Sequence, residues 1–137
     1  MINKKNKSLL IIIPARLKSQ RLSKKLLRNI KGIPMIIRVG HAAIQTRLGD
    51  VFVATDSIKI FNLCKKNDIN ALMTPTNIKS GTDRVYKAYK TLKKKYDLIV
   101  NLQGDLPVFK SELVKKTANL FLDDKPEIGC AVCDLEN

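Results

Sequence analysis

Between Pro14 and Lys25 the chain reads Pro-Ala-Arg-Leu-Lys-Ser-Gln-Arg-Leu-Ser-Lys-Lys, which puts five cations, Arg16, Lys18, Arg21, Lys24 and Lys25, inside ten residues. Arginine forks two hydrogen bonds onto phosphate oxygens and lysine acts as a point charge, so a polar loop of this density suits a triphosphate. By charge alone it reads equally well as a solvated basic loop. A second segment, Asn101-Leu102-Gln103-Gly104-Asp105-Leu106-Pro107, sets a carboxylate beside a tight glycine turn. Such an Asp is a good anchor for Mg²⁺, which takes one or two carboxylates and completes its shell with phosphate oxygens and water.

The third segment is Ser80-Gly81-Thr82-Asp83-Arg84. Glycine permits close backbone approach, and the helix that follows offers its free N–H groups to an anion or a base edge. Ser80 or Thr82 also serves as an ordinary helix cap. Ala54-Thr55-Asp56 is a weaker candidate, because Asp56 or Ser57 is well placed to cap the next helix. No Ser/His/Asp or Cys/His set suggests covalent catalysis; the only histidine, His41, lies in a helical stretch. Cys130 and Cys133 have metal-ligand spacing, but no second pair follows, and they read as small residues of a buried strand.

These segments share a position: each lies at the end of an apolar run or in the loop that follows one, Ser80 to Arg84 after the loop that begins at Thr74. Leu9 to Ile13 is continuous and rich in branched residues, as expected of a strand buried on both faces. Val51 to Ala54, Ala71 to Met73, Leu98 to Leu102 and Ile128 to Val132 are further strands. Helical spacing separates them: Met35, Ile36, Val39 and Ala43 after a first-turn Pro34 and ending at Gly49; Ile60, Phe61 and Cys64; Val85, Ala88, Tyr89 and Leu92; Leu113, Val114, Thr117, Leu120 and Phe121. Alternation of this kind predicts a three-layer α/β fold with a mostly parallel sheet, in one domain over residues 1–137. Ligands of such sheets bind outside the carboxyl ends of the strands, where the polar segments lie.

The bulk composition narrows the function classes. Hydrophobic residues make up 45% of the chain, a globular proportion. The net charge of +14 invites a nucleic-acid reading, but aromatics are only 5% and none interleave with the basic runs as a base-stacking platform requires. Lysine filling solvated faces accounts for the excess, which would still draw in a polyanionic small molecule. The three cysteines form no disulfide framework, which suits a reducing cytoplasm. The apolar run after Lys4, Lys5 and Lys7 is too short for a signal peptide.

The order of motifs adds a resemblance. Pro-Ala-Arg-x-x-Ser-x-Arg-Leu with Lys25 four positions on, then Gly32-Ile33-Pro34-Met35-Ile36, Ala54-Thr55-Asp56, Ser80 to Arg84 and Gln103-Gly104-Asp105, is similar to the cytidylyltransferases of acidic sugars, above all those of 3-deoxy-manno-octulosonate (Kdo). The resemblance implies a nucleotide-diphospho-sugar transferase-like fold. It implies CTP as co-substrate and Kdo as acceptor, giving CMP-Kdo and diphosphate for lipopolysaccharide biosynthesis. By the same resemblance Arg16, Arg21 and Lys25 contact the phosphates and Asp105 holds Mg²⁺, while Ala15, Ser19, Ser80, Gly81, Thr82, Arg84 and Gln103 surround the nucleotide. Two sites depart from the family pattern. Ser23 and Lys24 stand where relatives have Pro and Gly, with Leu26 where Pro is usual, and Leu106 replaces a common Glu. Relatives are nearly twice as long, and their second half supplies most acceptor contacts, a further metal-binding Asp and the homodimer contact. The chain is therefore expected to be an N-terminal portion that turns over little by itself. The alternatives are a CTP-binding fragment without turnover, a sialic-acid-like acceptor, and a basic nucleic-acid binder.

Overall fold

Leu9–Ala15 forms the strand β1, and its alternation sorts the whole molecule into layers. Leu9, Ile11, Ile13 and Ala15 face one core, with Ile36, Ile37, Val39, Ala43, Ile60, Cys64, Val114 and Ala118 packed on them. Leu10 and Ile12 face the other, against Val85 and Ala88. A strand sealed on both sides cannot alternate polar with apolar, which is why its sequence reads as an unbroken run. Each such isoleucine, fully removed from water, contributes about 1.5–3 kcal/mol before the entropy of ordering it is subtracted.

The computed structural model describes residues 7–18, 24–106, 110–121 and 128–129. After β1 come a 3-10 turn over Lys25–Leu27, a two-stranded hairpin of β2 (Asn29–Ile30) and β3 (Ile33–Pro34), and helix α1 (Met35–Gln45). β4 (Asp50–Thr55), α2 (Ile58–Lys66), β5 (Ala71–Met73), α3 (Gly81–Thr91), β6 (Leu98–Asn101) and α4 (Ser111–Asn119) follow. The main sheet has the order β5-β4-β1-β6 with every neighbour parallel, as the strand–helix alternation predicts. Helices α1, α2 and α4 share one core and α3 packs on the opposite face, so the expected three layers are present. The strand expected from Ile128 to Val132 lies largely outside the described residues, as do Cys130 and Cys133; Ile128 and Gly129 carry no strand pairing. Among the described residues no helix is long and apolar enough to cross a membrane.

Three local expectations are corrected. The hairpin is absent from the sequence reading because its strands have two residues each; Lys31 (φ 51°) and Gly32 (φ 81°) make the positive-φ turn that such a hairpin needs. Pro34 stands one residue before the helix, as its N-cap. Helix α1 ends at Gln45, well short of Gly49, and Arg47 takes the left-handed position (φ 54°) beyond it. Gly49 serves another purpose. A Cβ there would lie 2.0 Å from the carbonyl oxygen of Leu9, so glycine is needed for close packing of the turn on β1.

The amino ends of the strands are tied by side chains. Asp50 accepts hydrogen bonds from Lys94 Nζ at 2.8 Å and Tyr96 OH at 2.6 Å, while Asp97 accepts from the backbone N–H and hydroxyl of Ser8 at 2.7 and 2.9 Å. The Lys94 bond, then the Tyr96 bond, hold the Asp50 carboxyl below its usual range, and burial followed by the Asp50 bond pushes Tyr96 up to about 12. The sign is then fixed. Asp50 contributes stability above its unfolded pKa of about 3.9 and loses it as pH falls through the lower folded value. Tyr96 contributes below about 10 and loses it as pH rises toward 12. The exposure of Asp50 keeps its share below about 1 kcal/mol. Urea melts of Asp50→Asn should show a weaker acid decline than wild type below about pH 4; identical pH profiles would disprove this.

Candidate active site

All four candidate segments emerge at the carboxyl ends of parallel strands, and the structure brings them to one edge of the sheet. Pro14, Arg16, Ile78, Lys79, Ser80, Gly81, Arg84 and Gln103 line a cavity of about 170 Å³. Arg16 is exposed, and its guanidinium donates to the Lys79 carbonyl at 3.4 Å, linking the loop after β1 to the loop before α3. Gly104 is buried; a Cβ there would come within 3.2 Å of the Pro14 carbonyl oxygen and 3.4 Å of Ile13. The Gly104 turn thus packs directly on the end of β1, which delivers Gln103 to the cavity and Asp105 beside it.

Lys25 and Asp105, eighty residues apart in sequence, meet in an ion pair of 3.0 Å. Their side chains are 38% and 46% exposed, so the pair adds little to stability and stays accessible to ligand. Among the described residues no group of three or more His, Cys, Asp or Glu could hold a metal ion by itself. One accessible carboxylate is, however, a donor set that suits Mg²⁺ arriving with a phosphate chain, because such ions keep several waters and take few protein ligands.

The start of α3 is capped from within. The Asp83 N–H donates to Ser80 Oγ at 3.0 Å, and the Ser80 hydroxyl donates to the Asp83 carboxylate at 2.7 Å. Ser80 rather than Thr82 is therefore the cap. A carboxylate in the first turn opposes the positive end of the helix dipole, so this terminus suits a base or ribose edge better than phosphate.

Of the other predicted residues, Ala15 is fully buried in the core, backbone included, and does not line the cavity, because it ends β1 packed under the helices. Thr82 is exposed in the first turn of α3. Ser19 and Arg21 lie outside the described residues. Arg84 lines the cavity, but its guanidinium is engaged by protein groups: it donates to Thr74 Oγ1, to the Pro75 and Ile78 carbonyls at 3.3 Å each, and to Asp56 Oδ2 at 3.4 Å. Asp56 does not cap α2; Ser57 Oγ does, accepting from the Ile60 N–H at 3.3 Å. His41 Nε2 sits 2.9 Å from the Asn67 carbonyl, joining α1 to the end of α2, and Cys64 is buried with its thiol pushed up to about 11. Both are structural.

Lys24 adopts φ 59°, the left-handed region that glycine enters without strain. A lysine there carries a steric cost of roughly 1–2 kcal/mol. Lys24→Gly should recover part of it, partly offset by the greater freedom of glycine in the unfolded chain. A rise of a few degrees in melting temperature is expected; a fall would refute the reading.

A parallel sheet with three strand-end loops lining a cation-rich cleft, and the loop after β4 tied to it through Asp56 and Arg84, is the architecture of a nucleotidyltransferase-type fold. Residues 10–128 match the family model described as "Cytidylyltransferase", and the chain belongs to that family. The relatives it resembles are more specific. It is 38% identical over 128 residues to the 3-deoxy-manno-octulosonate cytidylyltransferase of Neisseria meningitidis serogroup C, covering 93% of this chain and 51% of that protein. It is 42% identical over 120 residues to the enzyme of the same name from Herminiimonas arsenicoxydans, covering 87% and 48%. The structure of a CMP:2-keto-3-deoxy-manno-octonic acid synthetase complexed with CTP superimposes with a TM-score of 0.80 at 35% identity, over 85% of this chain and 48% of that one. A Leptospira borgpetersenii cytidylyltransferase, at 24% identity and a TM-score of 0.71, shares the fold. The chain spans about half the length of the curated relatives it matches.

Proposed function

We propose that these residues form the CTP-binding domain of a Kdo cytidylyltransferase. The observation that carries the reading is the convergence of Arg16, Gln103 and the Ser80–Gly81 turn on one cavity, with the Lys25–Asp105 pair on the same sheet edge. The names of its relatives, and the CTP complex of the similar structure, support it.

In this reading the cytosine and ribose lie along the loop at Ile78 to Gly81, and the triphosphate runs under the 14–25 loop. Arg16, Arg21 and Lys25 offset phosphate charge where it grows during transfer. Asp105 would hold Mg²⁺, which supplies further neutralisation of the phosphates. The anomeric hydroxyl of Kdo attacks the α-phosphorus; a bond forms from its oxygen, its proton passes to solvent, the bond from the α-phosphorus to the bridging oxygen breaks, and diphosphate leaves with that oxygen. The protein contributes position and charge rather than a covalent intermediate.

Calorimetric titration tests the first step. CTP should bind with Mg²⁺ present, and more tightly than ATP or UTP. Equal affinity for all three nucleotides, or none for CTP, would remove the assignment.

A further inference from the structure

Arg84 is 2% exposed, yet it is an arginine in the interior of the sheet's carboxyl edge. Removing a guanidinium from water costs several kcal/mol unless its donors are satisfied. Here they are, and the identity of the acceptors carries the inference. One nitrogen, Nη1, reaches Thr74 Oγ1 and the Pro75 carbonyl, just after β5. The other, Nη2, reaches the Ile78 carbonyl and the Asp56 carboxylate. Residues 74–80 have no regular secondary structure; backbone hydrogen bonds hold their two ends, from the Thr74 N–H to the Thr55 carbonyl at 2.8 Å and from the Arg84 N–H to the Ser80 carbonyl at 3.2 Å. Two of their carbonyls and one hydroxyl converge on a single planar fork.

The counter-ion extends the linkage to the opposite wall. Asp56, 16% exposed, uses Oδ2 for Arg84 and Oδ1 to accept the Leu17 N–H at 3.4 Å. Leu17 directly follows Arg16. One wall of the cavity (Ile78, Lys79, Ser80) and the other (Pro14, Arg16) are therefore tied to the same buried ion pair, and the Arg16 to Lys79 bond closes the ring at the surface.

We infer that Arg84 and Asp56 are positioning residues: a buried hub that fixes the separation of the phosphate loop and the 74–80 loop, and through it the affinity for a cytidine nucleotide. This rests on the proposed function for the identity of the ligand, while the hub itself rests on geometry. Arginine is required because the task is bidentate. A lysine keeps the charge but offers one nitrogen, and cannot serve Thr74, Pro75, Ile78 and Asp56 from one plane.

The test uses Arg84→Lys, Asp56→Asn and the double variant, each titrated with CTP and Mg²⁺ and followed by amide hydrogen exchange. Each single variant should weaken CTP binding on the order of 10-fold, as loss of the groups that orient a site's ligands does. The double variant should be no weaker than the worse single, because both remove one unit. Exchange should quicken over residues 74–81 and at Leu17. The core variant Ile60→Val should lower the melting temperature yet leave CTP affinity unchanged, which separates positioning from general loss of stability. If Arg84→Lys does not fold, Thr74→Val removes one acceptor while keeping the ion pair, and should show a smaller loss of the same kind. Variants that bind CTP like wild type overturn the inference, whether or not loop exchange quickens. Additive losses in the double variant overturn the claim of a single hub. Failure of wild type to bind CTP would instead overturn the proposed function, and unchanged exchange at 74–81 and Leu17 would then still refute the hub.

Discussion

Asp105→Ala should weaken CTP binding in the presence of Mg²⁺ by on the order of 100-fold, in line with the loss of one preorganised charged group at a phosphate site. The same change should leave CTP binding without metal unaltered or slightly tighter. The sign reversal follows from the geometry. Asp105 is a half-exposed carboxylate 3.0 Å from Lys25. Without metal it repels the triphosphate and holds a cation that would otherwise serve phosphate. In the proposed reading Asp105 would anchor the metal, leaving Lys25 to face the phosphates. Because the pair is exposed, its loss costs at most about 1 kcal/mol of stability, so the variant stays folded and the titration remains readable. Isothermal titration with and without Mg²⁺ decides the matter: an equal change in both conditions would mean that Asp105 acts only as a surface charge.

The layers were legible in the sequence because burial on both faces leaves a simple mark. Leu9 to Ile13 read as a strand buried on both faces, and the stripes of α1, α2 and α3 were legible; that of α4 was drawn too wide, because Leu113 and Leu120 are exposed and the helix buries Val114 and Ala118. What was missed is shorter than the signals available. The 29–34 hairpin has too few residues to alternate, and only Gly32 marked its turn. The end of α1 was misplaced because glycine is the usual left-handed residue after a helix, whereas here Arg47 adopts that conformation.

At the site, residues next to strand ends were legible because ligands of parallel sheets bind there. Arg16, Ser80, Gly81 and Gln103 do share one cavity. The Asp56–Arg84 hub was not legible, since its partners come from different crossovers, and each had a plausible local role as cap or as nucleotide contact. Two features could have pointed to it. Asp56 is followed by Ser57, a sufficient cap by itself, which frees the aspartate for another task. Arg84 lies on the same helical stripe as Ala88, four residues on, and so faces the sheet rather than solvent.

Gly49→Ala should be the most damaging single-methyl change among the described residues, costing about 3 kcal/mol and lowering the melting temperature by roughly 10 °C. The added carbon would lie 2.0 Å from the Leu9 carbonyl oxygen and 2.7 Å from its carbonyl carbon. These are backbone atoms and cannot rotate away. Leu9 is the first residue of β1, paired with Leu98 on one side, while Leu10 pairs with Asp50 on the other. Relief of the clash therefore requires the starts of β1 and β4 to part. Gly32→Ala is the matched control: its φ of 81° disfavours alanine, but nothing lies within 4 Å, so its cost should stay near 1 kcal/mol. Thermal melts of the two variants separate crowding from backbone conformation. A Gly49→Ala protein as stable as wild type, or less affected than Gly32→Ala, would show that the turn before β4 yields easily. Because Gly49 lies at the amino end of the sheet and the cavity at the carboxyl end, the folded fraction of Gly49→Ala should still bind CTP with wild-type affinity.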